Sequence, residues 1–223
     1  MKYFVIIFCV LVLAITITFF ESREESIPVT GEPVNFHVVL DAGHGGRDRG
    51  ASANGVFESD INLSIVMELR REFISRGATV TLTRTNTESL ANPLARNQKR
   101  SCMEARVRIV ENANPDLVIS IHLNTYPSPR VRGLQAFHQR NNNVSRDFAW
   151  AIQNEINNTT FPMSRHPKPG DFYILNEVTA PAVLIECGFL TNPDDARLLT
   201  TIEYQRFLAY HIAKSALRHA DEV

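Results

Sequence analysis

The strongest constraint on this chain is an alternation. From Phe36 onward, short apolar runs rich in β-branched residues trade places with longer segments of helical periodicity. Residues 36–41 (FHVVLD), 78–83 (ATVTLT), 117–123 (LVISIHL), 133–138 (GLQAFH), 172–175 (FYIL) and 182–187 (AVLIEC) read as strands. Several are apolar at both parities, which suits a sheet covered on both faces. A helix is expected over 59–76, with Ile61, Ile65, Leu69 and Phe73 on one stripe and Gly77 just past its end. Further helices are expected over 101–112 (Met103, Val107, Val110), 144–157 (Phe148, Ala151, Ile152, Ile156) and 202–220, the last opened by a capping box from Thr200 to Glu203. The pattern predicts an α/β fold: a twisted, mainly parallel sheet of about six strands flanked by helices on both faces. Roughly 190 residues from Phe36 suit one domain with one substantial core. No internal repeat is present.

A different kind of segment lies ahead of that domain. Residues 3–20, YFVIIFCVLVLAITITFF, carry no charge, and as a helix they would extend about 27 Å, close to the ~30 Å hydrocarbon core of a bilayer. Lys2 before it and Glu21, Glu24 and Glu25 after it favour insertion with the N-terminus inside. Residues 1–20 are therefore expected to anchor the chain in a membrane. The rival is a cleaved signal segment, for which Phe19-Phe20 offers a poor cut site. Phe8 argues against lipid attachment at Cys9. Residues 21–35, broken by Pro28, Gly31 and Pro33, read as a stalk, leaving 36–223 as the folded domain.

Charge and cysteine usage exclude other classes. With 23 Lys and Arg against 24 Asp and Glu, the chain lacks the basic excess that nucleic-acid binding by counterion release needs. The three cysteines, Cys9 in the anchor, Cys102 and Cys187, do not make a disulfide framework. Cys102 and Cys187 are expected as free thiols, although pairing between them stays open.

Chemistry collects at the strand ends. The first strand runs into Asp41-Ala42-Gly43-His44-Gly45-Gly46, the third ends on His122 followed by Asn124, and the sixth ends on Glu186. Ligands of open α/β sheets bind outside the C-terminal strand ends. Glu58, at the start of the first helix, follows closely enough to fold over the same edge. Two histidines and one carboxylate are a common open coordination for catalytic zinc, which would leave Glu186 as a base toward water. Each residue also has a plain reading. His44 suits a polar turn, Glu58 a first-turn carboxylate favoured by the helix dipole, and His122 a core histidine. Glu186 is harder to dismiss, because a carboxylate inside AVLIECGFL is desolvated unless it meets a partner. Strand parity turns Cys187 to the opposite face. His166 has a weaker claim to flank the cleft. The polar loop 85–100, with Arg96, Lys99, Arg100 and the preceding Arg84, reads as a solvated insertion, with substrate gripping as the lesser alternative.

Taken together, VVLDAGHGG, GVFESDINLSI, LVISIHLN and AVLIECGFLTNPDDARLL resemble the zinc-dependent N-acetylmuramoyl-L-alanine amidases (amidase 3 type) of bacterial cell walls, over about 36–219. The phrase SIHLNTYPSPRVRGLQAFH and the single domain behind an anchor look most like the CwlD-type spore cortex amidases. The resemblance implies a Zn2+ cofactor held by His44, Glu58 and His122, with Glu186 as catalytic base. It implies peptidoglycan, a glycan strand with its stem peptide, as substrate on the extracytoplasmic face of a bacterial envelope. It leaves room for an activating envelope protein. The implied role is cortex maturation, through muramic-δ-lactam formation, and germination; a general amidase of cell separation or turnover is the alternative. A non-catalytic wall-binding or regulatory protein of the same fold would be expected to lack a ligand or the base, and all four groups are present.

Overall fold

The computed structural model describes residues 34–53, 55–159 and 165–222. The expected anchor, and the expected stalk up to residue 33, lie outside the described residues. Among the described residues no helix is long and apolar enough to cross a membrane.

In chain order the elements are β1 (His37–Ala42), β2 (Ser52–Ala53), β3 (Val56–Phe57), α1 (Glu58–Ser75), β4 (Thr79–Leu82), α2 (Gln98–Ala113), β5 (Leu117–Asn124), β6 (Gln135–His138), α3 (Asn143–Asn157), β7 (Lys168–Pro169), α4 (Tyr173–Glu177), β8 (Ala182–Phe189), α5 (Pro193–Leu199) and α6 (Ile202–Asp221). Six strands form one sheet in the order β4-β1-β5-β8-β6-β7. Pairs β4–β1, β1–β5 and β5–β8 are parallel, β8–β6 is antiparallel and β6–β7 is parallel. The remaining two strands, β2 and β3, make a short antiparallel ribbon that feeds directly into α1.

The two sheet faces divide the core unequally. Leu40, Ile119, Ile121, Ile185 and Cys187 face α1, α3 and α6, where Ile61, Ile65, Leu69, Phe73, Ile152 and Ile212 complete the larger cluster. Val39, Val118 and Leu184 face α2 and α4, packing with Val110, Ile174 and Leu175 in a smaller one. Period-2 alternation of apolar residues on both parities is what lets one strand serve both layers.

Three expectations change. Residues 172–175 are not a strand: Phe172 is the extended N-cap of α4, and Ile174 and Leu175 bury one side of that short helix. The sixth strand is instead β7, an exposed edge strand that pairs through Phe137 and His138 of β6; Pro is tolerated at an edge because its missing N–H faces away from the ladder. The cap of α6 is also one residue later than the box predicts. Thr201 accepts from the Tyr204 N–H, while Thr200 closes α5.

Candidate metal centre and active site

The site is assembled where β1, β5 and β8 end and α1 begins. His122 and Glu186 are register partners on neighbouring strands, so both side chains leave the same sheet face. Immediately beyond them the register slips, with Asn124 opposite Phe189. This bulge ends regular pairing beside the site, a common device for re-aiming a strand end. The turn after β1 brings in His44, whose backbone is left-handed at φ 63°. The β2–β3 ribbon leads directly into α1, whose first residue is Glu58.

The three groups converge tightly. His44 Nε2 lies 3.1 Å from Glu58 Oε1, and His122 Nδ1 lies 3.0 Å from the same oxygen. The imidazoles meet edge to face, with centroids 4.9 Å apart. Glu58 is fixed from behind: the Leu123 N–H donates to Oε1 at 3.0 Å and the Ala51 N–H to Oε2 at 2.8 Å. Burial works to raise the Glu58 pKa, but the hydrogen bonds and charges of His122 and His44 win and hold it well below the usual carboxylate range. The other His44 nitrogen sits 3.0 Å from Asp48, and despite burial these carboxylates raise the His44 pKa.

Two glycines make room for this packing. A Cβ at Gly43 would stand 2.3 Å from His122 Cε1, and one at Gly50 would stand 2.5 Å from Glu58 Oε2. Gly50 is also left-handed, at φ 66°.

One candidate donor atom from each of His44, Glu58 and His122 lies within 4.8 Å of the other two. Two imidazoles and a pre-aligned carboxylate suit a divalent transition ion with a position left open to solvent or substrate. Glu186 stands beside them, buried, with Oε2 lacking any hydrogen-bond partner among the described residues. Burial is the largest influence on it and raises its pKa to about 7. A carboxyl group poised near neutrality is matched to proton transfer.

All four sequence-predicted residues line one cleft of about 1160 Å³. The loop 85–100 is largely exposed, as expected of a solvated insertion, and it also borders the cleft. The Gly46 N–H donates to Thr87 O at 2.7 Å, and Glu88, Ser89, Pro93 and Lys99 form part of the cleft wall. Met103, Phe172, Tyr173 and Leu184 add apolar lining. Of the loop's basic residues only Lys99 reaches the cleft; Arg100 pairs with Glu104, and Arg84 turns inward. Asn124 accepts from the Thr125 N–H, and His166 packs on Trp150 with centroids 5.2 Å apart. Neither belongs to the cleft lining. Cys187 is buried on the far face, and both described cysteines are free.

Sequence reasoning missed the layer beneath. Arg106, 2% exposed, forms an ion pair with buried Asp41. Asp41 also accepts from Thr83 Oγ1 at 2.6 Å and Ser120 Oγ at 2.7 Å. Burial pushes its pKa up, but Arg106 and these hydroxyls pull it below the ordinary value. The available signal was Arg106 itself, which lies one turn from both Met103 and Val110 on the helix.

Fold and site together define a mainly parallel α/β sheet domain with a candidate metal centre on its C-terminal edge. Residues 38–218 match the family described as N-acetylmuramoyl-L-alanine amidase (Amidase_3), and the chain belongs to that family. It is 34% identical over 201 residues to the germination-specific N-acetylmuramoyl-L-alanine amidase of Bacillus subtilis (strain 168), covering 88% of this chain and 83% of that protein. Among solved structures it is similar to the CwlD amidase from Clostridioides difficile in complex with the GerS lipoprotein, at 34% identity and a TM-score of 0.82, covering 85% of this chain and 100% of that one. The catalytic domain of the amidase CwlV from Bacillus (Paenibacillus) polymyxa is similar at 28% identity and a TM-score of 0.72, covering 83% of this chain and 98% of that one.

Proposed function

We propose that this chain hydrolyses the amide between the lactyl group of muramic acid and the L-alanine that opens the stem peptide. The observation that carries the proposal is the unpartnered, buried Glu186 carboxylate beside a two-histidine, one-carboxylate cluster. His44, Glu58 and His122 would hold Zn2+, which, when bound, supplies Lewis acidity to the amide carbonyl and acidifies water to a pKa of about 7. Glu186 takes the proton from the attacking water at its free Oε2 and delivers it to the departing alanine nitrogen. The backbone N–H groups of Leu123 and Ala51 keep Glu58 turned toward the imidazoles throughout. The apolar wall formed by Met103, Phe172 and Leu184 excludes bulk water from one side of the cleft.

The cellular setting follows the relatives. A germination role is supported by the Bacillus subtilis protein's name, and cortex maturation through muramic-δ-lactam is the finer reading proposed with it. A protein partner in the envelope is supported by the complex in which the Clostridioides difficile chain was solved. Residues 1–20 would tether the domain on the extracytoplasmic face.

Purified wall or cortex peptidoglycan, digested and read by mass spectrometry, tests the proposal. The wild type should release peptides with a free L-alanine amino terminus and carry one zinc per chain. Glu186→Gln should retain the zinc and lose at least about 100-fold in rate. Wild-type release by Glu186→Gln would overturn the assignment of the base. Unaltered muramic-δ-lactam in spores of a deletion strain would move the role to vegetative wall.

A further inference from the structure

Three consecutive backbone carbonyls lead to and include His44, and two buried arginines hold all three. Ala42 O accepts from Arg84 Nε at 2.9 Å and from Arg106 Nη1 at 2.7 Å. Gly43 O accepts from Arg84 Nη2 at 3.0 Å, and His44 O accepts from Arg106 Nη2. His44 is one of only two non-glycine residues with positive φ among the described residues. A side-chain-bearing residue stays in that region only where its surroundings over-determine it. Here the guanidinium of Arg106 fixes the peptide plane after His44, and so the direction in which the imidazole leaves the turn.

Arg106 is itself held by Asp41, which binds Ser120 two residues ahead of His122 on the same strand face. One buried ion pair therefore links the turn that carries His44 to the strand that carries His122. Stability alone does not explain such a pair, since apolar side chains of similar volume often do as well or better. Apolar side chains, however, cannot satisfy the carbonyls of a left-handed turn.

Resting on the reading of His44 as a metal ligand, we propose that Arg106 is a positioning residue, its fork setting the geometry with which His44 meets the ion. Lysine would keep the charge but not the planar fork of donors. Arg106→Lys should therefore fold and bind zinc about 10–100-fold more weakly than the wild type. Zinc affinity is read on the full chain by competition with a chromophoric chelator, and cobalt(II) absorption reports the coordination geometry independently of turnover. The expected result is weaker zinc binding together with an altered cobalt spectrum. Zinc affinity within about twofold of wild type with an unaltered cobalt spectrum overturns the proposal. Should Arg106→Lys fail to fold, Asp41→Asn loosens Arg106 without removing it and is judged by the same two readings. His44→Ala separates this proposal from the ligand assignment beneath it. Impaired zinc binding in His44→Ala with wild-type behaviour in Arg106→Lys removes the positioning role alone. Wild-type binding in His44→Ala removes the ligand assignment, and the positioning role with it.

Discussion

Replacing Gly43 by alanine tests how tightly the site is packed. The new Cβ would stand 2.3, 2.4 and 2.7 Å from Cε1, Nε2 and Nδ1 of His122. Carbon contacts relax only beyond roughly 3.5 Å, so the ring must retreat by about 1 Å. β5 cannot carry that shift, because it is paired on both sides, to β1 and to β8. The imidazole must instead rotate, and its 3.0 Å contact with Glu58 Oε1 opens toward about 4 Å. A ring end swings more cheaply than backbone, so the fold should survive at a cost of about 1–3 kcal/mol. The ligand geometry should not. Zinc affinity should fall about 10–100-fold, and hydrolysis by about 100-fold for a reacting group misplaced by 1 Å. Competition titration with a chelator, thermal melting and peptide release from wall together read these effects. Gly55→Ala serves as the control: a Cβ there meets nothing within 4 Å, so only the strain of φ 79° applies. Gly43→Ala with wild-type zinc affinity and wild-type turnover would refute the placement of His122.

Two further outcomes follow from the electrostatics and from strand parity. In the metal-free protein Glu186 titrates near 7 against 4.5 in the ordinary state. The folded chain thus binds that proton more tightly than the unfolded one, and the stability it contributes is present below pH 4.5 and lost as pH rises to about 7. The loss should approach about 3 kcal/mol, and calorimetry of the chelator-treated wild type against Glu186→Gln isolates it; parallel curves between pH 4.5 and 7.5 would contradict the assigned burial. Cys187→Ser places a hydroxyl in the core on the opposite face and should cost about 1–3 kcal/mol with turnover per folded molecule unchanged. A loss of turnover without loss of stability would mean that Cys187 faces the cleft.

The four candidate site residues were legible because each sits at a boundary that local pattern marks. His44 follows an apolar strand into a glycine turn, His122 and Glu186 close apolar runs, and Glu58 opens an amphipathic helix. The segment 172–175 misleads for the converse reason. A four-residue apolar run has no readable period, and only its packing beneath α2 makes it helical. Strand β7 has no apolar signal at all, being Lys168-Pro169 on an exposed edge. The two adjacent threonines before α6 were equally able to cap it, and the choice fell to Thr201 because Thr200 already ends α5. Arg84 and Arg106 were harder still. A buried arginine is intelligible only through its partners, and Asp41, Ala42 and Gly43 are distant in sequence from both.

The charges of the cleft explain why these groups tolerate one another. Asp41 is neutralised by Arg106, and Arg84 is turned to the backbone carbonyls of the turn, so the buried carboxylates left beside the imidazoles are Glu58 and Glu186. Two carboxylates in so small a buried space are compensated either by protons or by a cation. Protons are the metal-free solution: burial raises the Glu186 pKa to about 7 and keeps it partly neutral, while Glu58 and Asp48, against the effect of burial, raise the His44 pKa. A divalent ion held by His44, Glu58 and His122 would supply the same compensation to neutral imidazoles, so that its binding would release protons. On the proposed reading, the burial that makes Glu186 hard to ionise alone is also what would ready it to act as a base with a cation beside it.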